Sequence, residues 1–410
     1  MIDDDSDPDD GGLGNEAGSV AQLVSNIFAG TTGSNPSELV AFNNNLYFVA
    51  DDGVDGRELW VSNGTAGGTR QVFDLNPGSS GSNPTDLVVF DGALYFAADD
   101  GSGDGVELFR SDGEVGSAPD QVSNINPGSP SSNPQDLVAT TNFLYFSADG
   151  GVDGRELWRS NGTAAGTDQV TDLNPGASGS NPTDLVAIGN IVYFAADDGS
   201  GDGVELFRSD GTVAGTDQVA DINIGNPSSN PRDLVVVGNV LYFSATDGID
   251  GRELWSSNGT AGGTNQVADI NPGAASGLET SDDRLNLIVG AIGNQVFFAA
   301  QDLAGDGVEL WQSDGTINGT QLVEDINPGT PSSDPNSFVD ANGVAYFTAN
   351  NGVNGRQVWR SDGTSANTEL VTVGAANSFN PSNLVVVGNF VYFTATTAAT
   401  GEELWRVPIT

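Results

Sequence analysis

The residues of this sequence best suited to chemistry are aspartates in short glycine-rich segments that recur along the chain. Residues 100–105 and residues 198–203 both read Asp-Gly-Ser-Gly-Asp-Gly. Oxygen-bearing side chains stand at positions one, three and five and glycine at position six, which is the spacing of the first half of a calcium-binding loop. Related segments occur elsewhere, and we predict metal ligands at Asp52, Asp55, Asp100, Ser102, Asp104, Asp149, Asp153, Asp198, Ser200, Asp202, Asp247, Asp250, Asp302 and Asp306.

Two explanations of these aspartates stay open. The bidentate glutamate that closes a complete calcium loop at position twelve is missing, and Asp and Gly also build tight turns without any metal. On the other hand, like charges crowded on one surface destabilise a fold unless cations screen them. We therefore expect calcium as a cofactor, with plain turns as the alternative.

A second pattern is Glu-Leu followed by Trp or Phe, which recurs along the whole chain. Where Arg precedes it, a guanidinium, a carboxylate and an indole stand together, as in some carbohydrate-binding clefts. The competing explanation is that the large aromatic side chain packs between repeats and stabilises the fold. The alternative ligand site consists of Arg57, Glu58, Trp60, Arg155, Glu156, Trp158, Arg252, Glu253 and Trp255.

The composition is poorly suited to catalysis. The chain has no His and no Cys, and all 12 of its basic residues are Arg. Imidazole, thiolate and amine groups, which most often serve as base, nucleophile or zinc ligand, are therefore absent. Only a pair of carboxylates could do acid–base work, as in a glycoside hydrolase. We predict that the protein is not an enzyme, with a carboxylate-only glycoside hydrolase as the least favoured alternative.

The net charge of −44 restricts the possible partners. Binding to nucleic acid or to an anionic membrane surface needs patches of Lys and Arg, so we expect neither. No apolar run is long enough to span a bilayer, and we expect no membrane insertion. Residues 1–18 are acidic and rich in Asp and Gly, and we predict a disordered linker there, joining this chain to other parts of a larger exported protein.

The fold follows from the repeats. The aromatic residue of the Glu-Leu pattern and its equivalents recur every 46–56 residues, close to the period of a propeller blade, at Trp60, Phe109, Trp158, Phe207, Trp255, Trp311, Trp359 and Trp405. Each period holds four short β-type runs separated by turn residues. The last unit lacks its fourth run, and residues 22–27 form an extra one before the first unit. We predict an all-β fold over residues 19–410, a single eight-bladed β-propeller with four antiparallel strands per blade, closed by the N-terminal strand completing the last blade.

The units also alternate. Units one, three and five contain Asp-Gly-Arg-Glu-Leu-Trp, whereas units two, four and six contain Gly-Asp-Gly-Val-Glu-Leu. Unit seven keeps the arginine, at Arg356. The repeating element is therefore a pair of blades, which predicts pseudo-fourfold symmetry.

The run Glu-Leu-Trp-x-Ser-Asn-Gly-Thr-x-x-Gly-Thr, at residues 156–167 and 253–264, resembles the bacterial ELWxxDGT-repeat family. The resemblance covers about residues 20–410 and implies exported proteins with propeller folds and no settled activity. Members of that family often have a histidine in the loop before Glu-Leu-Trp, where this chain has Asp55, Asp153 and Asp250. We therefore expect an extracellular or cell-surface adhesion or binding module, stabilised by calcium, whose acidic loops meet an extracellular protein or glycan. A carbohydrate-binding lectin is the alternative.

Overall fold

The computed structural model describes residues 21–128, 131–225, 227–278, 288–292, 294–372 and 379–410. The predicted linker at residues 1–18 lies outside them. The described residues form eight sheets of four antiparallel strands, so the predicted eight-bladed propeller is confirmed. No helix in this part of the chain is long and apolar enough to cross a membrane.

The strands follow the chain in regular order after β1 (Gln22–Ser25). Blade 1 contains β2 (Ser37–Phe42), β3 (Asn45–Asp51), β4 (Arg57–Ser62) and β5 (Arg70–Phe73). Blade 2 contains β6 (Thr85–Phe90), β7 (Ala93–Ala98), β8 (Glu107–Ser111) and β9 (Asp120–Ser123). Blade 3 contains β10 (Gln135–Ala139), β11 (Leu144–Asp149), β12 (Arg155–Ser160) and β13 (Thr167–Gln169). Blade 4 contains β14 (Thr183–Ile188), β15 (Ile191–Ala196), β16 (Glu205–Ser209) and β17 (Thr216–Ala220).

The second half of the ring repeats this arrangement. Blade 5 contains β18 (Arg232–Val237), β19 (Val240–Thr246), β20 (Arg252–Ser257) and β21 (Thr264–Ala268). Blade 6 contains β22 (Ile288–Ile292), β23 (Gln295–Ala300), β24 (Glu309–Ser313) and β25 (Gln321–Glu324). Blade 7 contains β26 (Asn336–Asp340), β27 (Ala345–Asn350), β28 (Arg356–Ser361) and β29 (Glu369–Leu370). Blade 8 contains β30 (Ser382–Val387), β31 (Phe390–Thr397), β32 (Gly401–Pro408) and β1.

The turns between the third and fourth strands of most blades contain one turn of 3₁₀ helix. Each is preceded by Thr, and in four of the six that threonine side chain accepts a hydrogen bond from the last residue of the turn. The Asp or Asn before each turn accepts hydrogen bonds from the same segment. Asn63 Oδ1, for example, accepts from the N–H of Thr65 at 3.1 Å. The six turns are Ala66–Gly68, Ala164–Gly166, Val213–Gly215, Ala261–Gly263, Ile317–Gly319 and Ser365–Asn367.

The ring closes as predicted. The innermost strands contact one another in sequence around the ring, from β2 to β6 and onward to β30, and β30 returns to β2. Strand β1 pairs antiparallel with β32, with Leu23 opposite Trp405. Gly33 bridges to Glu402 beside this pair, where its φ of +79° and the lack of room for a Cβ both require glycine. Both ends of the described chain therefore contribute to blade 8.

The core lies between the blades. The second strand of each blade is almost wholly buried, because the two faces of each sheet both pack against neighbouring blades. One cluster joins Leu59 and Val72 of blade 1 to Phe96 and Phe109 of blade 2, and equivalent clusters recur around the ring. Burying one large aromatic side chain per blade stabilises such a ring. This is where the structure places the repeated Trp or Phe.

Candidate interaction face

One face of the ring is built from two kinds of connection. The loops between the second and third strands carry the aspartates, and the connections from each fourth strand to the next blade lie directly beside them. The N–H of Asp99 donates to the carbonyl of Ser82 at 3.0 Å, and the N–H of Asp51 donates to that of Ser34 at the same distance. We call this surface the acidic face; its loops are residues 51–56, 99–105, 149–154, 197–203, 246–251, 301–307 and 350–355.

The shorter loops of the acidic face are tight turns stabilised by their own aspartates. Asp52 Oδ1 accepts from the N–H of Val54 at 2.8 Å and from that of Asp55 at 3.1 Å. Asp247 makes the same pair of hydrogen bonds, with Ile249 and Asp250. A carboxylate that accepts from its own loop holds the turn rigid, which is the usual role of Asp in turns.

The longer loops behave in the same way. Asp100 Oδ1 accepts from the N–H of Ser102 at 2.9 Å, and the Ser102 hydroxyl oxygen lies 3.4 Å from the N–H of Asp104. Equivalent bonds link Asp198, Ser200 and Asp202. Asp149 and Asp302 each accept a hydrogen bond from the backbone N–H of the residue two positions later, Gly151 and Ala304. These oxygens therefore satisfy backbone donors within their own loops.

The arrangement of the predicted metal ligands can be compared with the calcium prediction. Within the described ranges, no three acidic side chains form a group that could hold a metal ion. Asp153 and Asp306 stand at the ends of their loops, near the start of the third strand, and are partly buried. The hydrogen bonds of these loops correspond to the turn explanation, and calcium stays a prediction.

Sequence reasoning missed one aspartate beside these loops. Burial raises the pKa of Asp74, the residue directly after the fourth strand of blade 1, and the charges of Asp55 and Asp52 raise it further. Its Oδ1 atom is buried and has no hydrogen-bond partner. Buried oxygens without a partner recur at the same position in other described blades, at Asn124, Asp221 and Asp325. The repeated Asp/Asn before the Leu/Ile-Asn pair of each unit is the signal that could have found them.

The glutamate of each Glu-Leu-Trp segment faces inward. Glu58 is 1% exposed and accepts hydrogen bonds from the N–H of Ser82 at 2.8 Å, from the Ser82 hydroxyl, and from the N–H of Asn76. It therefore fastens the connection between blades 1 and 2 to the third strand of blade 1. The same inward position is held by Glu107, Glu156, Glu205, Glu253, Glu309 and Glu403.

Burial raises the pKa of all of these glutamates, most strongly in blades 5 and 6. The pKa of Glu253 is raised to about 7, and so is that of Glu309, because desolvation outweighs the hydrogen bonds that favour the carboxylate. Blade 7 has Gln357 instead, and its amide donates to the carbonyl of Asn354 at 3.0 Å. The position therefore also accepts an uncharged side chain.

The arginines of the alternative glycan site are likewise engaged within the protein. Arg57 donates to the carbonyl of Asn35 at 2.7 Å and to the Ser37 hydroxyl at 2.6 Å. Arg155 donates to the carbonyl of Ser147, and Arg252 to those of Asn230 and Ser244. These side chains bind the first and second strands of their own blades and the residues just before the first strand.

The tryptophans of that site pack between blades. Trp60 is 9% exposed and lies in a cluster with residues of blade 8, while Trp158 and Trp255 pack against blades 2 and 4. Glu58, Glu156 and Glu253 are buried, as described above. The structure therefore places the Arg, Glu and Trp of each unit in three different internal contacts, and it does not gather them into an open cleft.

A second acidic feature that sequence reasoning missed lies on the innermost strands of blades 1 to 5, beside the central channel. Glu38 accepts from the N–H of Asp86 at 2.8 Å, and Asp86 in turn accepts from the N–H of Asp136 at 2.6 Å. Asp184 accepts from the N–H of Asp233 at 2.7 Å. Each donor residue sits at a bulge of the innermost strand with a positive φ. We call these residues the channel carboxylates; they link successive blades.

Burial raises the pKa of four channel carboxylates, Glu38, Asp86, Asp136 and Asp184. The pKa of Asp136 is about 6, because the side chain is buried and lies near Asp86 and Asp184. The nearby guanidinium of Arg155 opposes this rise. The sequence signal is an acidic residue at the second position of the first strand in five successive units, which looks like an ordinary surface residue without the structure.

The comparisons with known proteins support the fold alone. The chain matches no family model and no curated protein, so the ELWxxDGT resemblance stays a prediction. Among solved structures, it is similar to a puromycin hydrolase (13% identity, TM-score 0.52), covering 94% of this chain and 62% of that one. It is also similar to a prolyl endopeptidase (11% identity, TM-score 0.54), covering 90% of this chain and 55% of that one. A third similar structure is Sqt1 of Saccharomyces cerevisiae (12% identity, TM-score 0.51), with 95% of this chain and 98% of that one covered. The chain thus spans little more than half the length of the two peptidases.

Proposed function

We propose that this protein is a secreted or cell-surface binding propeller that has no catalytic activity and uses the acidic face as its interaction surface. The observation that supports this proposal is the concentration of aspartates from blades 1 to 6 on one face, in loops that their own hydrogen bonds hold rigid. A preorganised surface loses little conformational entropy on binding, which favours affinity.

The proposal that the protein is not an enzyme rests on composition and repetition. The whole sequence lacks His and Cys, and its buried glutamates recur with the same structural partners from blade to blade. A catalytic site needs a group whose surroundings differ from those of its copies. The similarity to peptidases is at the level of fold, and a shared fold does not imply a shared activity.

Calcium enters the proposal as a stabilising ion near blade 1. The support is Asp74, whose buried oxygen has no partner and whose carboxyl group lies within the electrostatic influence of Asp52 and Asp55. A divalent cation would relieve this repulsion. Thermal melts with calcium chloride and with a chelator test this component, since a ligand bound only by the folded state raises Tm. Equal Tm values for the wild type under both conditions would remove calcium from the proposal.

Binding itself is tested on a peptide array and a glycan array, both in the presence of calcium. We expect cationic peptides to retain the protein and the quadruple variant D52N/D55N/D247N/D250N to lose that retention. A glycan hit that disappears in R57A or W60A would instead support the lectin alternative. Retention on neither array, or hydrolysis of a polysaccharide that is lost on changing one carboxylate, would contradict the proposal.

A further inference from the structure

Four exposed aliphatic side chains stand at one position of the acidic face in alternate blades. Val54 is 68% exposed, Val152 77%, Ile249 71% and Val353 74%, in blades 1, 3, 5 and 7. Single exposed aliphatic residues are common on protein surfaces and need no explanation. Four of them at one symmetry-related position form a regular pattern, and we call them the apolar ring.

The loops that present the apolar ring are rigid. The N–H groups of Val54 and Ile249 donate to the preceding Asp52 and Asp247 at 2.8 Å, and that of Val353 donates to Asn351 at 3.1 Å. A β-branched side chain on a fixed turn is itself restricted in rotation. Val54, Ile249 and Val353 are therefore held outward before any partner arrives. The loop of Val152 has Gly150 at the equivalent position and is held instead by the hydrogen bond from the N–H of Gly151 to Asp149.

The loops do not need an aliphatic residue for their own folding. At the equivalent position the loops of blades 2 and 4 have Ser102 and Ser200. The loop of blade 6 has Ala304 there, and Leu303, one residue earlier, is 71% exposed. Ser102 and Ser200 continue the same chain of loop hydrogen bonds. The turn therefore forms without a large aliphatic residue at this position, and turn formation does not explain why the odd-numbered blades have one.

Charge indicates which partner fits the apolar ring. Asp52, Asp55, Asp153, Asp247 and Asp250 stand beside three of its members, whereas Asn351 and Asn354 flank the fourth. The arginines of these blades donate to carbonyls within the protein, on the second strand or just before the first strand of the same blade. The partner's charge must therefore be positive, and its contacts with the ring must be apolar.

The opposite face provides a natural comparison. Its turns expose Val115, Val213 and Ile317 in blades 2, 4 and 6. Arginines lie on the same face: Arg159 donates to the carbonyl of Gly211 in the turn of blade 4, and Arg208 donates to the carbonyl of Gly259 in the turn of blade 5. This face therefore offers similar aliphatic groups in a mixed charge environment and has less attraction for a cationic partner.

We propose that the apolar ring and its flanking carboxylates form a docking surface for a cationic polypeptide that carries aliphatic side chains among its basic residues. This proposal rests on the proposed function and specifies its partner. Carboxylates attract the partner over a distance and raise the association rate, and the apolar ring then lowers the dissociation rate through buried aliphatic contacts.

The test compares two fluorescent peptides of equal length and charge, one alternating Lys with Leu and the other alternating Lys with Ser. Fluorescence anisotropy is measured with the whole chain at low and at physiological salt. We expect the Lys/Leu peptide to bind at least several-fold more tightly than the Lys/Ser peptide. In the variant V54S/V152S/I249S/V353S this preference is lost, while the weaker Lys/Ser binding stays unchanged.

The matched control is the variant V115S/V213S/I317S, which removes aliphatic groups of the same kind from the opposite face and should keep the preference. Equal binding of the two peptides by the wild type, or an equal loss of preference in both variants, would overturn the docking proposal. Binding of neither peptide would overturn the proposed function as well, so the two failures are distinguishable. Circular dichroism melts confirm that each variant is folded before it is scored.

Discussion

The carboxylate of Glu58 accepts two hydrogen bonds from one residue, Ser82, which belongs to the connection leading into the next blade. The same relationship joins Glu156 to Ser180 and Glu309 to Ser333. In each case a buried acid holds the acidic face to the blade beneath it. Because all the partners are backbone amides and one hydroxyl, no counter-charge neutralises the acid.

Stability should therefore depend on pH near neutrality. The pKa of Glu253 rises from an ordinary 4.5 to about 7 on folding, so the folded state binds this proton more tightly than the unfolded state does. The protonated form is favoured in the fold, and stability rises as pH falls from above 7 towards 4.5. Glu309 acts in the same direction. Urea denaturation between pH 5 and pH 8 measures this slope; the opposite slope would show that other groups dominate.

The variant E253Q isolates that effect. An amide carries no charge to bury, and blade 7 already has Gln357 at this position. We expect E253Q to be more stable than the wild type at pH 8, by about 1 kcal/mol, and to lose this advantage at pH 5. The control is E114Q, which changes an exposed glutamate and should leave the free energy of unfolding unchanged at both pH 8 and pH 5. A loss of stability at pH 8 in E253Q would mean that its hydrogen bonds outweigh desolvation.

Removing the hydroxyl in S82A leaves one oxygen of Glu58 buried without that donor. We expect a loss of about 1–3 kcal/mol at pH 8, because an unsatisfied buried acceptor costs its full desolvation. S79A changes an exposed serine in the same connection and should be neutral. Equal denaturation midpoints for the two variants would show that the Ser82 hydroxyl contributes little.

Ring closure should be sensitive to Gly33. A Cβ at this position would lie 2.3 Å from the backbone N of Glu402, and the positive φ adds strain. We expect G33A to loosen the pairing of β1 with β32, seen as faster hydrogen exchange of amides such as that of Leu23. In G67A, an added Cβ meets no atom within 4 Å and exchange at β1 should be unchanged. Unchanged exchange in G33A would show that the junction tolerates a backbone shift.

Contacts between blades on the opposite face can be tested at Tyr47, whose hydroxyl donates to the carbonyl of Gly113 in blade 2 at 3.0 Å. Blade 6 has Phe297 at the equivalent position. We expect Y47F to lose about 1 kcal/mol, a typical value for one hydrogen bond, without any change in fold. The measurement is the shift in denaturation midpoint, and a shift of several kcal/mol would indicate that the hydroxyl has further partners.

Much of the fold was predictable, since it depends on periodicity. The spacing of Trp60 and its equivalents indicated the blades, and the extra run around Val24 indicated where the ring closes. Those signals are local or repeat at fixed intervals. The blades then follow, because four short strands per period cannot bury their apolar faces without stacking on neighbours.

The site was less predictable for physical reasons. Glu58 lies on a strand of mixed polarity, and its burial depends on Ser82, a partner in the following connection. The bulge that turns Asp86 towards the channel is set by backbone geometry that no residue type there requires, since Ser337 adopts it as well. The pKa of Asp74 is raised partly by Asp52 and Asp55, whose loop lies near Asp74 only in the folded ring.

The pairing of β1 with β32 also determines how the ring responds to tension. Gln22 lies opposite Arg406, so the two strands enter and leave the sheet at the same end. A force that pulls residue 22 away from residue 408 therefore separates the strands one hydrogen bond at a time and does not load them all together. If both ends are tethered, blade 8 opens first, and the other seven sheets keep all of their strands until it has done so.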